Sequence, residues 1–282
     1  MTQFLKSTQA DRLPLSLPNA SRAMPSELLT ERQGAVLILT ISDPATRNSL
    51  SEQVLAAGIE ALNVAESDTQ VRCVVLRGDG EHFCAGGNLQ GLLARRQSGP
   101  EAQARMLDHL HQFVEALRAF PKPVLAAVEG AAAGAGFSLA LACDLIVAAQ
   151  DARFILSYAR IGLSPDGGAT SALVGALPRA LVQQMVWLGE PVSAQQMATW
   201  NLVGWVTDKG QAFAEAVRLA RRLADMAPNA LASGKELVQQ ASGHTLTQQL
   251  AAERNHLIAN LFHANAGEGL QAFLDKRAPK FR

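Results

Sequence analysis

Cysteine, tyrosine and net charge are what this chain has least of. Only three cysteines (Cys73, Cys84, Cys143) and one tyrosine occur in 282 residues, and 25 Lys plus Arg are balanced by 25 Asp plus Glu. The odd number of cysteines, set among apolar residues without CxxC spacing, indicates neither a disulfide framework nor a zinc site, and it suits a reducing cytoplasm. With no excess of basic charge there is no field to draw in nucleic acid or an anionic membrane surface. Long apolar runs are missing too. The most apolar stretch, Val124 to Ala149, is broken by Glu129 and Asp144, and the 14 residues between them fall short of the ~18–20 that cross a bilayer. The first residues lack the charged n-region and apolar h-region of a signal peptide.

What remains is the composition of a globular chain with a sizeable core: 48% hydrophobic and 18% charged. Residues 1–25, with Pro14, Pro18 and Pro25 among serines and threonines, read as an extension of little fixed structure, and Met24 offers an alternative start. From Gly34 short β-type runs alternate with helical ones: Ala35 to Ile41, Ser51 to Ser67, Val71 to Leu76, then a long helix near Glu101 to Phe120. Such alternation predicts an α/β fold. The run Ser49-Leu50-Ser51-Glu52 has the form of a capping box and fixes a helix start there. Further strands are expected at Val124 to Val128, Leu145 to Ala148 and Phe154 to Leu156. From Ala180 the chain turns mostly helical, with Ser193 and Pro228 as helix starts. The expected divisions are 1–25, a core over 26–207 and a helical region over 208–282. Trp187, Trp200 and Trp205 read as fillers of core or interface.

Two segments carry the chemistry. His82-Phe83-Cys84-Ala85-Gly86-Gly87-Asn88-Leu89 and Lys122-Pro123-Val124 through Gly134-Ala135-Gly136-Phe137 to Asp144 are apolar strands breaking into glycine turns. Glycine permits positive φ and lets another molecule approach the backbone, so two such turns suggest a pair of amide donors around one ligand atom, the outline of an oxyanion hole. The six histidines (His82, His109, His111, His244, His256, His263) show no HxxxH or HxxE pattern, although His256 and His263 share a helical stripe, so no metal is expected. No Ser-His-Asp arrangement is visible.

In order and residue type these motifs resemble the enoyl-CoA hydratase/isomerase family, the crotonase superfamily, over roughly residues 30 to 282. The resemblance implies a crotonase (ClpP-like) spiral of ββα units whose C-terminal helices serve trimerisation, trimers often pairing into hexamers. It implies an acyl-CoA thioester as substrate, with no added cofactor, and places the two oxyanion-hole amides at Gly87 and Ala135. The coenzyme A adenine would lie along the backbone from Ala85 through Gly86 to Gly87. Arg47 would sit near the phosphates, and Lys276 or Lys280, from a neighbouring subunit, would approach the 3′-phosphate.

The two glutamates that handle water in the family's hydratases map onto Ser138 and Tyr158. A serine hydroxyl without an activating partner is no base near neutral pH, and a phenol is mostly protonated there. Both are left to line the pocket or hydrogen-bond an acyl group or water. One acid remains, Asp166 in Ile161-Gly162-Leu163-Ser164-Pro165-Asp166-Gly167-Gly168, where the common hydratase pattern has glycine and some double-bond or ring-epoxide isomerases of the family carry aspartate. Asp166 is therefore expected to move a proton between carbons, the alternative being that it caps the helix beginning around Ala169. Glu129 reads as a surface or turn residue, the alternative being a second acid. The expectation is an acyl-CoA isomerase; its rivals are hydration through Asp166 with a water held by Tyr158 or Ser138, hydrolysis with Asp166 attacking a carbon, and a non-catalytic thioester-binding protein.

Overall fold

The computed structural model describes residues 26–282; the expected N-terminal extension and Met24 lie outside them. β1 (Glu27–Gln33) and β2 (Val36–Ser42) form an antiparallel hairpin closed at Gly34, whose φ of +65° suits glycine. After α1 (Glu52–Ser67) come β3 (Cys73–Gly78), α2 (Leu89–Ser98) and α3 (Pro100–Ala119). β4 (Val124–Val128), β5 (Ala131–Ala133) and α4 (Ala135–Ala142) follow, then β6 (Leu145–Ala149), β7 (Arg153–Ile155), a 3-10 turn over Ser157–Ile161, α5 (Ala169–Ala176) and α6 (Arg179–Leu188). β8 (Val192–Ser193), α7 (Ala194–Thr199) and β9 (Trp205–Thr207) complete the sheets. α8 (Ala212–Ala224), α9 (Pro228–Ala241), α10 (Leu246–Leu261) and α11 (Ala264–Leu274) end the chain.

A six-stranded sheet runs β1-β2-β3-β4-β6-β9, parallel throughout except at the hairpin, and a three-stranded sheet runs β5-β7-β8. Each turn of the chain leaves a strand in the large sheet, crosses to the small one and returns through helix: β4 to β5 to α4, then β6 to β7 to α5. The preceding turn does the same with a single bridge, Cys84 to Ala132. This is the expected α/β spiral.

Parallel strands buried on both faces read as continuous apolar runs, and Val124, Leu125, Ala126, Ala127 and Val128 are all buried. One face packs against α1, α3 and α4 through Leu76, Phe113, Leu117 and Phe137. The other, with Val75, Leu125 and Val147, is closed by Ala216, Val217 and Ala220 of α8, just beyond residue 207.

One helix start differs from expectation. Ser51, not Ser49, is the N-cap of α1 and accepts from the Val54 amide at 3.2 Å, whereas the Ser49 hydroxyl is 2.7 Å from that of Thr46. Asn48 and Ser49 are held in the preceding turn, where Asn48 donates to the carbonyls of Asp79 and His82. The Ser193 start is a true capping box with Gln196, and Pro228 is the first residue of α9. His256 lies on α10 while His263 caps α11, so they share no helical stripe. Trp187 is 67% exposed, and Trp200 packs against the core.

Candidate active site

The two glycine turns lie against each other. The Ala133 amide donates to the Cys84 carbonyl at 2.9 Å, the Cys84 amide to Ala131 at 3.0 Å, and the Phe83 amide to Glu129 at 2.8 Å. Gly136 faces Cys84 so closely that any side chain would collide with the Cys84 carbonyl. Gly86 has φ +86°, and a methyl there would stand 3.0 Å from the Ala135 nitrogen and 2.5 Å from the Ala133 oxygen. The packing leaves no room for a side chain at either glycine, which draws the Gly87 and Ala135 peptide groups onto neighbouring turns. Among the described residues neither of their N–H groups finds a hydrogen-bond acceptor. Gly87 is exposed; Ala135 is the first residue of α4, where a helix leaves its amides unpaired and positive.

Opposite α4 lies the segment from Tyr158 to Gly168. The Tyr158 hydroxyl donates to Asp166 Oδ1 at 2.6 Å, in the range of charge-assisted O–H···O⁻ bonds. The Ser138 hydroxyl donates to the Asp166 main-chain oxygen at 2.9 Å. Gly134, with φ +51°, would bring a side chain to within 3.4 Å of the Tyr158 oxygen, and one on Gly167 (φ +60°) would stand 2.8 Å from Ser138 Cβ. Gly134, Ala135, Ser138, Tyr158, Asp166 and Gly167 thus form one cluster.

Burial raises the Asp166 carboxyl above the ordinary aspartate range, opposed by the Tyr158 hydrogen bond and then by the positive field of His111. Burial, and then the Asp166 charge and hydrogen bond, push the Tyr158 phenol well above its usual value. Tyr158 therefore keeps its proton and acts as the donor of this bond. The alternative role of Asp166 as a side-chain cap is not what the structure shows. α5 has Gly168 as N-cap with no side-chain bond, and the Ala169 amide reaches only the Asp166 main-chain oxygen at 3.4 Å. The Glu129 carboxylate accepts from the Gly210 and Ala212 amides at 3.0 and 2.8 Å, tying the β4–β5 turn to the start of α8.

The remaining candidates are spread more widely. The Ala85 amide donates to the Arg47 carbonyl at 2.9 Å, and Gly86 accepts from Leu50 at 2.8 Å, so the Arg47 backbone abuts the first turn while its side chain is exposed. Lys276 (φ +55°) is exposed beyond α11, and its ammonium contacts none of the cluster among the described residues. His111 had no distinguishing signal in the sequence; Gly134, in the Gly-Ala-Gly turn, and the Gly167-Gly168 doublet did. Burial raises the Cys84 thiol to about 12, leaving it neutral in the wall of the turn. No cluster of three or more potential metal ligands and no helix long and apolar enough to cross a membrane occurs among the described residues.

An open cavity of ≈ 620 Å³ is walled by Leu89, Leu92 and Leu93 of α2 and by Ile161 and Leu163. Leu92 Cδ1 lies 3.8 Å from where a Gly87 Cβ would stand. A smaller cavity, ≈ 370 Å³, lies against β1 and α1, away from these residues.

Comparison with known proteins agrees with this geometry. The chain is 35% identical over 257 residues to 2,3-dehydroadipyl-CoA hydratase of Escherichia coli (strain K12), covering 91% of this chain and 99% of that protein. It is 34% identical over 255 residues to 1,2-epoxyphenylacetyl-CoA isomerase of the same organism, covering 90% and 97%. The solved structure of an enoyl-CoA hydratase from Polaromonas sp. JS666 superposes with a TM-score of 0.90 at 53% identity, over 91% of this chain and all of that one. A family model described as enoyl-CoA hydratase/isomerase matches residues 31–282. With its paired glycine turns on a ββα spiral and relatives matched along nearly their whole length, this chain belongs to the enoyl-CoA hydratase/isomerase family, the crotonase superfamily.

Proposed function

We propose that the protein is an acyl-CoA isomerase in which Asp166 carries a proton from one carbon of the acyl chain to another. The thioester oxygen would accept from the Gly87 and Ala135 amides, donors of a kind worth ~2.7–4 kcal/mol each as negative charge develops on that oxygen. Asp166 takes a proton from carbon, the electron pair moves into the enolate, and the same carboxyl returns the proton elsewhere, shifting a double bond or rearranging a ring. Atoms balance without a co-reactant, and no group beyond the coenzyme A of the substrate is required. The backbone of Ala85 to Gly87, with Arg47, is assigned to the coenzyme A portion.

One observation carries this reading: the cluster holds a single carboxylate, hydrogen-bonded to the phenol at the position of a family glutamate. The Ser138 proton is committed to the main chain, which leaves no second base to activate water. Hydration through Asp166 is the second reading, because the relatives include a hydratase. Asp166→Asn tests both. Turnover should fall ~10²–10⁴-fold while binding of a saturated acyl-CoA persists, and product formed in ¹⁸O water should carry no label. Unchanged turnover in the variant would refute the proton transfer, and label in the product would favour hydration.

Assembly is proposed to run through α10, α11 and the turn between them, which expose Leu257 (70%), Phe262 (84%) and Phe273 (84%). Apolar patches of this kind mark association surfaces, and a homotrimer, or a hexamer of two trimers, would cover them and bring Lys276 toward a neighbour's ligand. Three buried free thiols suit a cytoplasmic protein.

A further inference from the structure

We propose that the acyl cavity selects chains that end in a carboxylate, and that Arg95 is the residue that selects them. The proposal rests on reading the Gly87, Ala135 and Asp166 cluster as an acyl-CoA site. None of those three residues lines the cavity, but two of its wall residues neighbour them: Leu92 Cδ1 lies 3.8 Å from where a Gly87 Cβ would stand, and Leu163 precedes Asp166 by three residues. Leu89, Leu93, Ile161 and Leu163 are 46–62% exposed there, apolar surface that an alkyl chain would cover.

Arg95 and Arg96 line the same cavity. Arg95 is half-buried, and its Nε donates to Gln103 Oε1 of α3 at 2.7 Å. Its terminal nitrogens fold back along α2 over Gly91, where a side chain would meet Nη1 at 3.1 Å. Among the described residues no carboxylate lies within ion-pairing distance of either arginine. Glu101, whose carboxylate turns toward Gly99 on the same rim, pairs with neither.

A cation in the last turn of α2 suits the helix dipole, but that does not account for a guanidinium turned back over a glycine beside an apolar wall. With Nε held by a neutral amide and neither terminal nitrogen hydrogen-bonded among the described residues, Arg95 presents the planar fork that fits a carboxylate. The cavity therefore offers an apolar wall for an alkyl chain and a guanidinium for a carboxylate carried on it.

The experiment compares two unsaturated acyl-CoA substrates of equal chain length, one ending in methyl and one in carboxylate, in the wild type, Arg95→Met and Arg95→Lys. The wild type should favour the carboxylate substrate at least tenfold in kcat/KM. Arg95→Met should lower that ratio at least tenfold, and Arg95→Lys should retain part of it. Equal wild-type kcat/KM for the two substrates overturns the proposal without touching the reading of the active site. A proportional loss on both substrates in Arg95→Met overturns it too, by placing Arg95 on the shared coenzyme A portion. If the wild type neither binds nor turns over either thioester, the active-site reading fails and this proposal with it.

Discussion

Replacing Tyr158 with phenylalanine removes one oxygen from a side chain that is only 8% exposed and leaves the ring to hold its packing. The lost bond is the 2.6 Å donation to Asp166 Oδ1. That bond favours the ionised carboxylate, so its removal favours the acid and raises further a pKa that burial has already raised. Hydrogen bonds to charged groups contribute ~1.5–3 kcal/mol, and at 1.36 kcal/mol per pKa unit that amounts to a rise of ~1–2 units. Since Asp166 must be ionised to take a proton, the acid limb of kcat/KM should move to higher pH by about 1–2 units. At pH values on the plateau the rate should change much less. The assay is double-bond isomerisation of a 3-enoyl-CoA across about pH 4 to 9, with Asp166→Asn as the control that removes the limb. A limb that stays in place, or moves to lower pH, would refute the reasoning. A uniform loss at every pH would assign Tyr158 to contact with the substrate instead.

Gly136→Ala should drive a methyl into the Cys84 carbonyl, cost ~1–3 kcal/mol of stability by overpacking and lower kcat/KM by separating the two turns; urea unfolding and steady-state rates check both, and an unaffected variant would refute the close approach. Glu129→Ala removes the acceptor for Gly210 and Ala212 and should cost ~0.5–2 kcal/mol, as a lost helix cap does, with turnover retained. Lost turnover at unchanged stability would make Glu129 a second acid instead. Phe262→Glu with Phe273→Glu should dissociate the assembly into monomers by sedimentation, and a monomeric wild type would refute assembly through α10 and α11.

Much of the fold was legible because it rests on local rules. The short, fully apolar Val124 to Val128, entered at Pro123 and left at Gly130, reads as a doubly buried strand, and Ser193 and Pro228 mark helix starts through their own backbone chemistry. Elements whose reason is tertiary were missed. β1 is mostly exposed, with no buried residue to mark a face, and is a strand because β2 pairs with it. α2 has no buried residue to announce it. The choice of Ser51 over Ser49 as cap was settled by Thr46 and Asn48, which hold the earlier serine in a turn.

The candidate site divides the same way. The sequence by itself determined the groups available: two glycine turns with bare amides, one carboxylate at Asp166, and no acid at Ser138 or Tyr158. Only the tertiary structure decided which of them meet. Tyr158 reaches Asp166 because the chain reverses through a 3-10 turn and Gly162 (φ +74°), while Ser138, on α4, holds the Asp166 backbone. Residue type is a property of the chain, but a 2.6 Å contact between a phenol and a carboxylate depends on where α4 packs against that loop, and packing is a property of the whole fold.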